Sequence, residues 1–419
     1  MDKKKTNTFT RSILILFSGS ILAQIIVLAT SPILTRLFTV EEIGIYTFVL
    51  SFCSIFMAVI NGRYDVPIVT EEREEYVFPL IKLALIIALF LSIVVTLIYA
   101  IYITWISPMY KEYIYTIVIV YLLLVSYGVL NILTAYNNRK KDYKIITAVY
   151  VVRTFFQNFG AVGLGFFKLG VVGLLLPYTV GQLMGIRRQG KPLFAHYKSI
   201  LGSSKKNIMY VLKKHSKQPL YSAPAILANS LSYSSIVIFI DILYNMSTVG
   251  YYSISVRILG LPLALISGNV AKVFLEEASR EFNATNQFYK SLKKTVVFQF
   301  SLAIPMVAFM MLFSPWLFGL FFGEQWKVAG EYVVYLAPMF GIRFIVSAIS
   351  PGLVIANKQQ LELLMQFIFI VASTISFLLA HTLHFSIEEF LISISIAFSI
   401  AYLLFFIAVF RYSKTNMKI

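Results

Sequence analysis

Thr35-Arg36-Leu37-Phe38-Thr39-Val40-Glu41-Glu42-Ile43-Gly44-Ile45-Tyr46 leads into an apolar run from Thr47 to Ile60, which closes on Asn61-Gly62-Arg63-Tyr64-Asp65. A cation enters at one end of a membrane-length helix and a second leaves at the other. A fainter copy stands half a chain later. Phe38 to Tyr46 aligns with Tyr244 to Tyr252 at an offset of 206 residues, which pairs Gly44 with Gly250, Tyr46 with Tyr252 and Gly62 with Gly268. The offset is close to half of the 419 residues, as a duplicated half would give, and internal repeats are a mark of transporter folds. The copies differ in charge: Arg36 aligns with Ile242, Arg63 with Asn269, and Arg257 falls opposite Ser51. The second copy moves its cation from the ends of the helix to the middle.

Composition bounds the class. Residues are 58% hydrophobic and 13% charged, and the mean hydropathy is +0.79. Soluble domains are about a quarter charged, so no soluble core could absorb this chain, and it reads as an all-α integral membrane protein. A net charge of +17 raises nucleic acid as a partner. The basic residues punctuate apolar spans instead of forming one face, which argues for no nucleic acid. A lone Cys53 allows no internal disulfide. Met1-Asp2-Lys3-Lys4-Lys5 precedes a long apolar run with no small-residue cleavage site after it, as expected of a retained first helix.

Spanning the bilayer core takes about 20 apolar residues. Twelve segments qualify: Ser12–Leu34, Ile43–Ile60, Ile81–Ile103, Ile114–Leu133, Ile145–Phe166, Val171–Ile186, Pro219–Phe239, Val249–Phe274, Thr295–Leu317, Tyr332–Leu353, Leu361–Leu379 and Phe390–Phe410, the sixth being short. With both termini cytoplasmic, 29 of the 36 Lys and Arg fall on the inner side, the bias expected of cytoplasmic loops. Arg36, Lys111, Lys168 and Lys327 fall outside, and Arg153, Arg257 and Arg343 within spans. The longest loop, Arg187 to Lys217, sets Lys205, Lys206, Lys213, Lys214 and Lys217 among Ile208, Tyr210, Val211 and Leu212. It reads both as the linker between two halves and as a helix on the anionic inner leaflet.

Ordinary catalytic patterns are absent. His381 and His384 lie three apart in an outer loop with Glu388 and Glu389 but no Cys, so no metal site is expected. No P-loop Lys-Ser/Thr pair follows a Gly-rich turn, and no cofactor is implied. What remains is intramembrane arginine, which costs about 2.5–3.5 kcal/mol on insertion scales and faces a bundle interior or a wet cavity. At about 1.5 Å per residue, Arg153 lies about 12 Å from the inner end of its helix, Arg257 about 12 Å and Arg343 about 16 Å from the outer ends of theirs. Arg36 and Arg63 stand at the two interfaces, where plain anchoring competes with a role. Acids that could neutralise this set are few: Asp65 and Asp241. A cationic cavity asks for an anionic passenger, and the planar guanidinium suits phosphate. Helix breakers such as Pro177, Pro219, Pro224, Pro262, Pro305, Pro338 and Pro351 permit bends. Gln157-Asn158, Asn229-Ser230 and Ser232-Tyr233-Ser234-Ser235 give hydrophilic stripes, which serve helix packing as readily as substrate.

Four stretches resemble the Wzx-like oligosaccharide flippases of the multidrug/oligosaccharidyl-lipid/polysaccharide exporter superfamily. They are the opening stretch with Gly62-Arg63-Tyr64-Asp65; Lys217-Gln218-Pro219-Leu220-Tyr221-Ser222-Ala223-Pro224; Arg257-Ile258-Leu259-Gly260-Leu261-Pro262-Leu263; and Phe322-Gly323-Glu324-Gln325-Trp326-Lys327-Val328-Ala329-Gly330-Glu331-Tyr332 with Leu336-Ala337-Pro338 and Arg343-Phe344. The family often has Glu where Asp65 stands and Pro where Val40 stands. The resemblance implies two six-helix lobes around a central cavity, here 1–186 and 219–419, joined by the basic linker 187–218. It implies a transporter, not an enzyme, in the bacterial cytoplasmic membrane. Such a protein moves undecaprenyl-diphosphate-linked oligosaccharide from inner to outer leaflet by alternating access, beside a polysaccharide polymerase and glycosyltransferases, for capsule, O-antigen or exopolysaccharide. On that basis Arg36, Arg63, Arg153, Arg257 and Arg343 are the expected diphosphate contacts and Asp65 and Asp241 the candidates for ion coupling. Tyr64, Gln157, Asn158, Asn229 and Tyr233 are candidates for sugar contact.

Three alternatives stand beside it. A cation-coupled multidrug exporter of the same superfamily should carry intramembrane acids where this chain has Arg. A membrane polysaccharide polymerase or acyltransferase should carry a large outer loop with Arg or His. The third is a scaffold for a glycan-synthesis complex. The topology is checked by a reporter fused after Lys205, which should be cytoplasmic; an external signal would overturn the orientation.

Overall fold

The computed structural model describes residues 3–106 and 108–414. Met1, Asp2, Ser107 and residues 415–419, with Lys418 of the expected inner tail, lie outside the described residues. Among the described residues the chain is helical, with no strand. Eleven helical runs are long and apolar enough to cross a membrane, which makes this a multi-pass membrane protein. Helices satisfy every backbone group within the segment, which the bilayer demands because an unpaired N–H or C=O in hydrocarbon costs several kcal/mol.

Two expected spans take other forms. The sixth, expected over Val171–Ile186, is a 13-residue helix, Val171–Leu183. That is about 20 Å, short of a hydrocarbon core of about 30 Å. The chain then turns at Gly185, whose φ of 84° is left-handed. The eighth, expected over Val249–Phe274, belongs to a 40-residue run from Met246 to Thr285. There helix Met246–Pro262 passes through one π turn, Leu263–Ser267, into helix Gly268–Thr285. Pro262 supplies the irregularity, since proline removes a backbone donor and loosens the helical ladder. The turn is held by Ser267, whose hydroxyl donates to the Phe344 carbonyl at 2.7 Å and faces Gln299 Nε2 at 3.3 Å.

Contacts divide the chain into two compact units: residues up to Thr39 with Phe48–Ser230, and Val40–Thr47 with Leu231 onward. The first contains α1 (Lys3–Leu37), most of α2 (Val40–Met57), α3 (Asp65–Thr70), α4 (Val77–Ile101), α5 (Thr116–Arg139), α6 (Tyr143–Gly165) and α7 (Val171–Leu183). Three short helices follow, α8 (Ile186–Phe194), α9 (Tyr197–Leu201) and α10 (Lys205–Lys214). The unit is pinned by Asn61, which is 1% exposed. Its amide donates to the Ala84 carbonyl of α4 at 3.3 Å and the Gly128 carbonyl of α5 at 3.0 Å, and its oxygen accepts from Asn131 at 3.0 Å. Asn131 also donates to Met57 at 3.0 Å, so α2, α4 and α5 share one polar node inside an apolar unit.

The second unit contains α11 (Ala223–Leu243) beyond Ser230, α12 (Met246–Pro262), α13 (Gly268–Thr285), α14 (Tyr289–Phe322), α15 (Lys327–Ile349), α16 (Gly352–Ile355), α17 (Gln359–Leu383) and α18 (Ile387–Lys414). α15 runs through its middle with Ala329, Val333, Leu336, Ala337 and Phe344 wholly buried. Ser255 of α12 donates to the Ala329 carbonyl at 2.6 Å.

The first two turns of α2 belong to this unit, and they explain the repeated glycine. A Cβ on Gly44 would stand 1.9 Å from the Met246 carbonyl oxygen, and one on Gly250 would stand 2.1 Å from that of Val40. Met246 lies 206 residues after Val40, the spacing that separates Gly250 from Gly44. The contact is therefore reciprocal: each copy rests its glycine on the carbonyl that opens the other. Small residues let helix backbones approach this closely where lipid supplies no hydrophobic drive for association.

Gly44→Ala and Gly250→Ala should each lower the melting temperature of the detergent-solubilised protein by the equivalent of about 1–3 kcal/mol, the usual cost of overpacking. Gly260→Ala, whose Cβ would meet nothing within 4 Å, is the control and should not destabilise. Unchanged melting of the first two variants would remove the close crossing.

Candidate functional site

Two arginines predicted within spans sit in polar, acid-free surroundings, one in each unit. In the first unit Arg153 is half-buried on α6. Its Nη2 donates to Gln182 Oε1 of α7, while its Nε is buried with no partner. Nearby, Tyr127 of α5 and Tyr178 of α7 share a hydroxyl–hydroxyl hydrogen bond of 2.7 Å. Gln157, one turn along α6, donates to the Tyr178 carbonyl at 3.3 Å. A buried donor left unpaired costs about 1–3 kcal/mol, so this guanidinium has capacity to spare for an acceptor.

In the second unit Arg343 lies on α15, with its guanidinium carbon 4.3 Å from the centre of the Tyr233 ring and 5.4 Å from that of Phe340. Tyr233, from α11, bonds its hydroxyl to that of Tyr402 on α18. Phe369 and Phe398 pack around the pair. Stacking on aromatic faces stabilises a desolvated cation by up to about 2 kcal/mol and leaves the guanidinium edge free to donate. Among the described residues neither Arg153 nor Arg343 has a carboxylate partner.

Arg63 stands in a different setting. Gly62 and Arg63 are both left-handed, with φ of 58° and 63°. For arginine this conformation costs about 1–2 kcal/mol, and it persists because Asn61 holds the turn in place. It carries Arg63 Nε to 3.4 Å from the Ser222 hydroxyl and Nη1 to 4.0 Å from Asp65 Oδ2. Tyr64 turns inward, 3% exposed, and donates to the Leu212 carbonyl of α10 at 3.2 Å. Its side chain thus ties down the basic segment.

That segment is bound through Glu71, whose side chain is 1% exposed. Glu71 accepts from Lys214 Nζ at 2.7 Å and pairs with His215 Nε2 at 2.9 Å. Lys82 of α4 donates to the carbonyls of Leu201 at 2.6 Å and Ser203 at 3.2 Å. Tyr76 stacks on Tyr210 at 4.5 Å. Burial pushes the Glu71 carboxyl up, but Lys214, His215 and the Arg73 N–H outweigh it and hold it at about 2.

The remaining predicted residues are dispersed. Arg36 is exposed at the end of α1, and Asn229 is exposed on α11. Asn158 faces Thr30 of α1 at 3.2 Å and donates to the Thr154 carbonyl at 2.8 Å. Arg257 is half-buried on α12, and Asp241 is buried near the end of α11. The structure thus groups Arg153 with Gln157, Arg343 with Tyr233, and Arg63 with Asp65. The residues that complete these groups, Tyr127, Tyr178, Gln182 and Tyr402, carry no signal in the sequence. Each comes from a helix or loop distant in the chain, and tyrosine is one of 26.

The fold defines a class. It is similar to a solved multidrug resistance MATE family transporter of the MOP superfamily in an inward-facing conformation, with a TM-score of 0.70 and 15% identity over 96% of this chain and 99% of that one. It is similar to the lipid II flippase MurJ in an inward closed conformation, at 0.69 and 14% over 96% and 87%. It is also similar to a MOP superfamily transporter from Pyrococcus furiosus described by the reverse polarity of its binding pocket, at 0.61 and 14% over 98% and 96%. At such identities the likeness is one of fold. The sequence places it further: residues 33–331 match the polysaccharide biosynthesis protein family, and the chain belongs to that family. No curated protein matches it.

Glu71→Gln should loosen the basic segment, seen as faster amide exchange over residues 205–215, with the rest of the first unit unchanged. With the carboxyl depressed from its usual 4.5 to about 2, its contribution is full above pH 4.5 and fades as pH falls towards 2. Equal exchange in variant and parent would show that apolar packing alone holds the segment.

Proposed function

We propose that this protein is a flippase for an oligosaccharide carried on a polyprenyl diphosphate, working by alternating access and not by catalysis. One observation supports it above the others: each unit sets an arginine predicted within a span near paired tyrosine hydroxyls, with no carboxylate among the described residues to neutralise it. Such a site favours a passenger with concentrated negative charge and hydrogen-bond acceptors, as a diphosphate has. The guanidinium makes two parallel charge-assisted bonds to phosphoryl oxygens, and the tyrosine hydroxyls donate a third. Membership of a polysaccharide biosynthesis family supplies the sugar, for which Gln157, Asn158, Asn229 and Tyr233 are the polar contacts. Arg63 meets the headgroup at the turn after α2, and Arg36 and Arg257 complete the cationic series. The proposed direction, from inner to outer leaflet, follows the flippase resemblance, with the N-terminal and C-terminal lobes alternating access.

A diphosphate diester carries roughly two negative charges, and a potential negative inside favours its outward passage by about 2.3 kcal/mol per charge per 100 mV. A drug exporter for organic cations would need the opposite polarity in these two sites.

Arg153→Ala and Arg343→Ala should each cut surface polysaccharide at least tenfold at unchanged membrane abundance, the loss of one charge-assisted bond of about 1.5–3 kcal/mol. Arg→Lys at either position should restore only part of it, because one ammonium cannot make the paired contact. Normal polysaccharide in both alanine variants would defeat the proposal; full rescue by Lys would reduce it to net charge.

A further inference from the structure

The turn Asn61–Asp65 holds a carboxylate that is poorly satisfied where it stands. Asp65 opens α3, and its side chain is 15% exposed. Its Oδ1 is buried with no hydrogen-bond partner. Its Oδ2 stands 4.0 Å from Arg63 Nη1, which is too long for a hydrogen bond, so the carboxylate accepts only from its own backbone N–H. Buried carboxylates in folded proteins ordinarily accept several hydrogen bonds.

The neighbouring charges are paired elsewhere, although Arg139 Nε is buried without a partner. α3 packs on α4 and α5. From α5, Arg139 donates to the carbonyls of Ile68 at 3.2 Å and Glu71 at 2.5 Å and pairs with Glu74 at 2.9 Å. From α4, Lys82 is bound to Leu201 and Ser203. Lys214 and His215, which follow in the basic segment, are bound to Glu71. Tyr64 and Tyr136 lie in the apolar cluster between these helices. Arg63 is thus the one charged side chain paired with Asp65 among the described residues. Burial pushes the Asp65 carboxyl up, against the pull of Arg63 and of the hydrogen bond from its own backbone N–H.

An anion arriving at Arg63 competes for that one partner. If the phosphate takes the guanidinium, Asp65 is left ionised beside a second negative group, which disfavours its charge. Protonation removes the repulsion and changes the hydrogen-bonding capacity of the group. A carboxylate only accepts, whereas a carboxylic acid gains an O–H donor that a phosphoryl oxygen can receive. We propose that binding of the diphosphate at Arg63 takes up one proton from solvent onto Asp65, so that Asp65 is the proton-linked member of the substrate site. This rests on the reading of Arg63 as a phosphate contact. The balance is simple: one proton adds to a carboxylate oxygen, one ion pair is exchanged for another, and no bond to phosphorus changes. Linkage then fixes the sign. The bound state holds one more proton than the free state, so binding strengthens as pH falls, by at most tenfold per pH unit.

The test uses the full chain in lipid nanodiscs and a synthetic prenyl-diphosphoryl-N-acetylglucosamine, a diester whose phosphates stay ionised between pH 5 and 8. Titration calorimetry in two buffers of different ionisation enthalpy counts the protons taken up. The parent protein should take up close to one proton and bind at least fivefold more tightly at the low end of its pH response than at the high end. Asp65→Asn should take up none and bind with an affinity independent of pH, and Asp65→Glu should keep the uptake. Melting curves of each variant report folding separately, and Asp65→Glu carries the test if the Asn variant does not fold. Binding by the parent without proton uptake, or equal uptake in Asp65→Asn, overturns the role of Asp65 and leaves the flippase reading standing. No binding by the parent at any pH overturns both.

Discussion

The first unit depends on one buried amide. Asn61 sits four residues past the end of α2, and buried in the protein its side chain has no water to fall back on. It meets that demand by bonding carbonyls of α4 and α5 and accepting from Asn131. The consequence extends beyond α2. The next two residues are left-handed, a conformation that a free chain would abandon at arginine, and the node holds them there. That turn aims Arg63 at Ser222 and Asp65, and sends Tyr64 inward to the basic segment. Packing, charge placement and the anchoring of α10 thus follow from satisfying one polar side chain.

A second constraint acts on the embedded arginines. Neither Arg153 nor Arg343 is neutralised by an acid among the described residues, and each is held by softer means. Arg153 relies on an amide and keeps one donor unpaired. Arg343 relies on aromatic faces. A carboxylate partner would stabilise either cation more firmly, and it would also occupy the edge that an anion needs. The weaker partners keep the charge soluble in the protein and available to a ligand. Asp65 is instructive by contrast, because it meets its arginine at a distance that joins them only loosely.

Repetition and divergence share the work between the halves. The glycines at 44 and 250 are kept because two backbones touch there and each carbonyl occupies the space of a Cβ. The end charges Arg36 and Arg63 are not repeated, and Ile242 and Asn269 stand at the corresponding positions of the second copy. Steric identity is preserved where atoms meet, while the charges stand at different positions in the two copies.

Much of this was legible in the chain itself. Apolar runs punctuated by Lys and Arg determined a multi-helix membrane protein, because the bilayer sets both the length of a span and the cost of a charge. The glycines at equal spacing pointed to the repeat, and the arginines within spans with few acids led to the expectation of a cationic site for an anion. The tertiary structure alone decided which groups meet. Tyr127 with Tyr178, Tyr233 with Tyr402, and Glu71 with Lys214 are each far apart in sequence, and no local pattern marks them, because a hydroxyl or carboxylate gains its partner only when distant helices are packed. It also decided that the sixth span is a short helix turned at Gly185, and that the eighth continues through a π turn. Hydropathy measures how apolar a segment is and is blind to where its backbone bends.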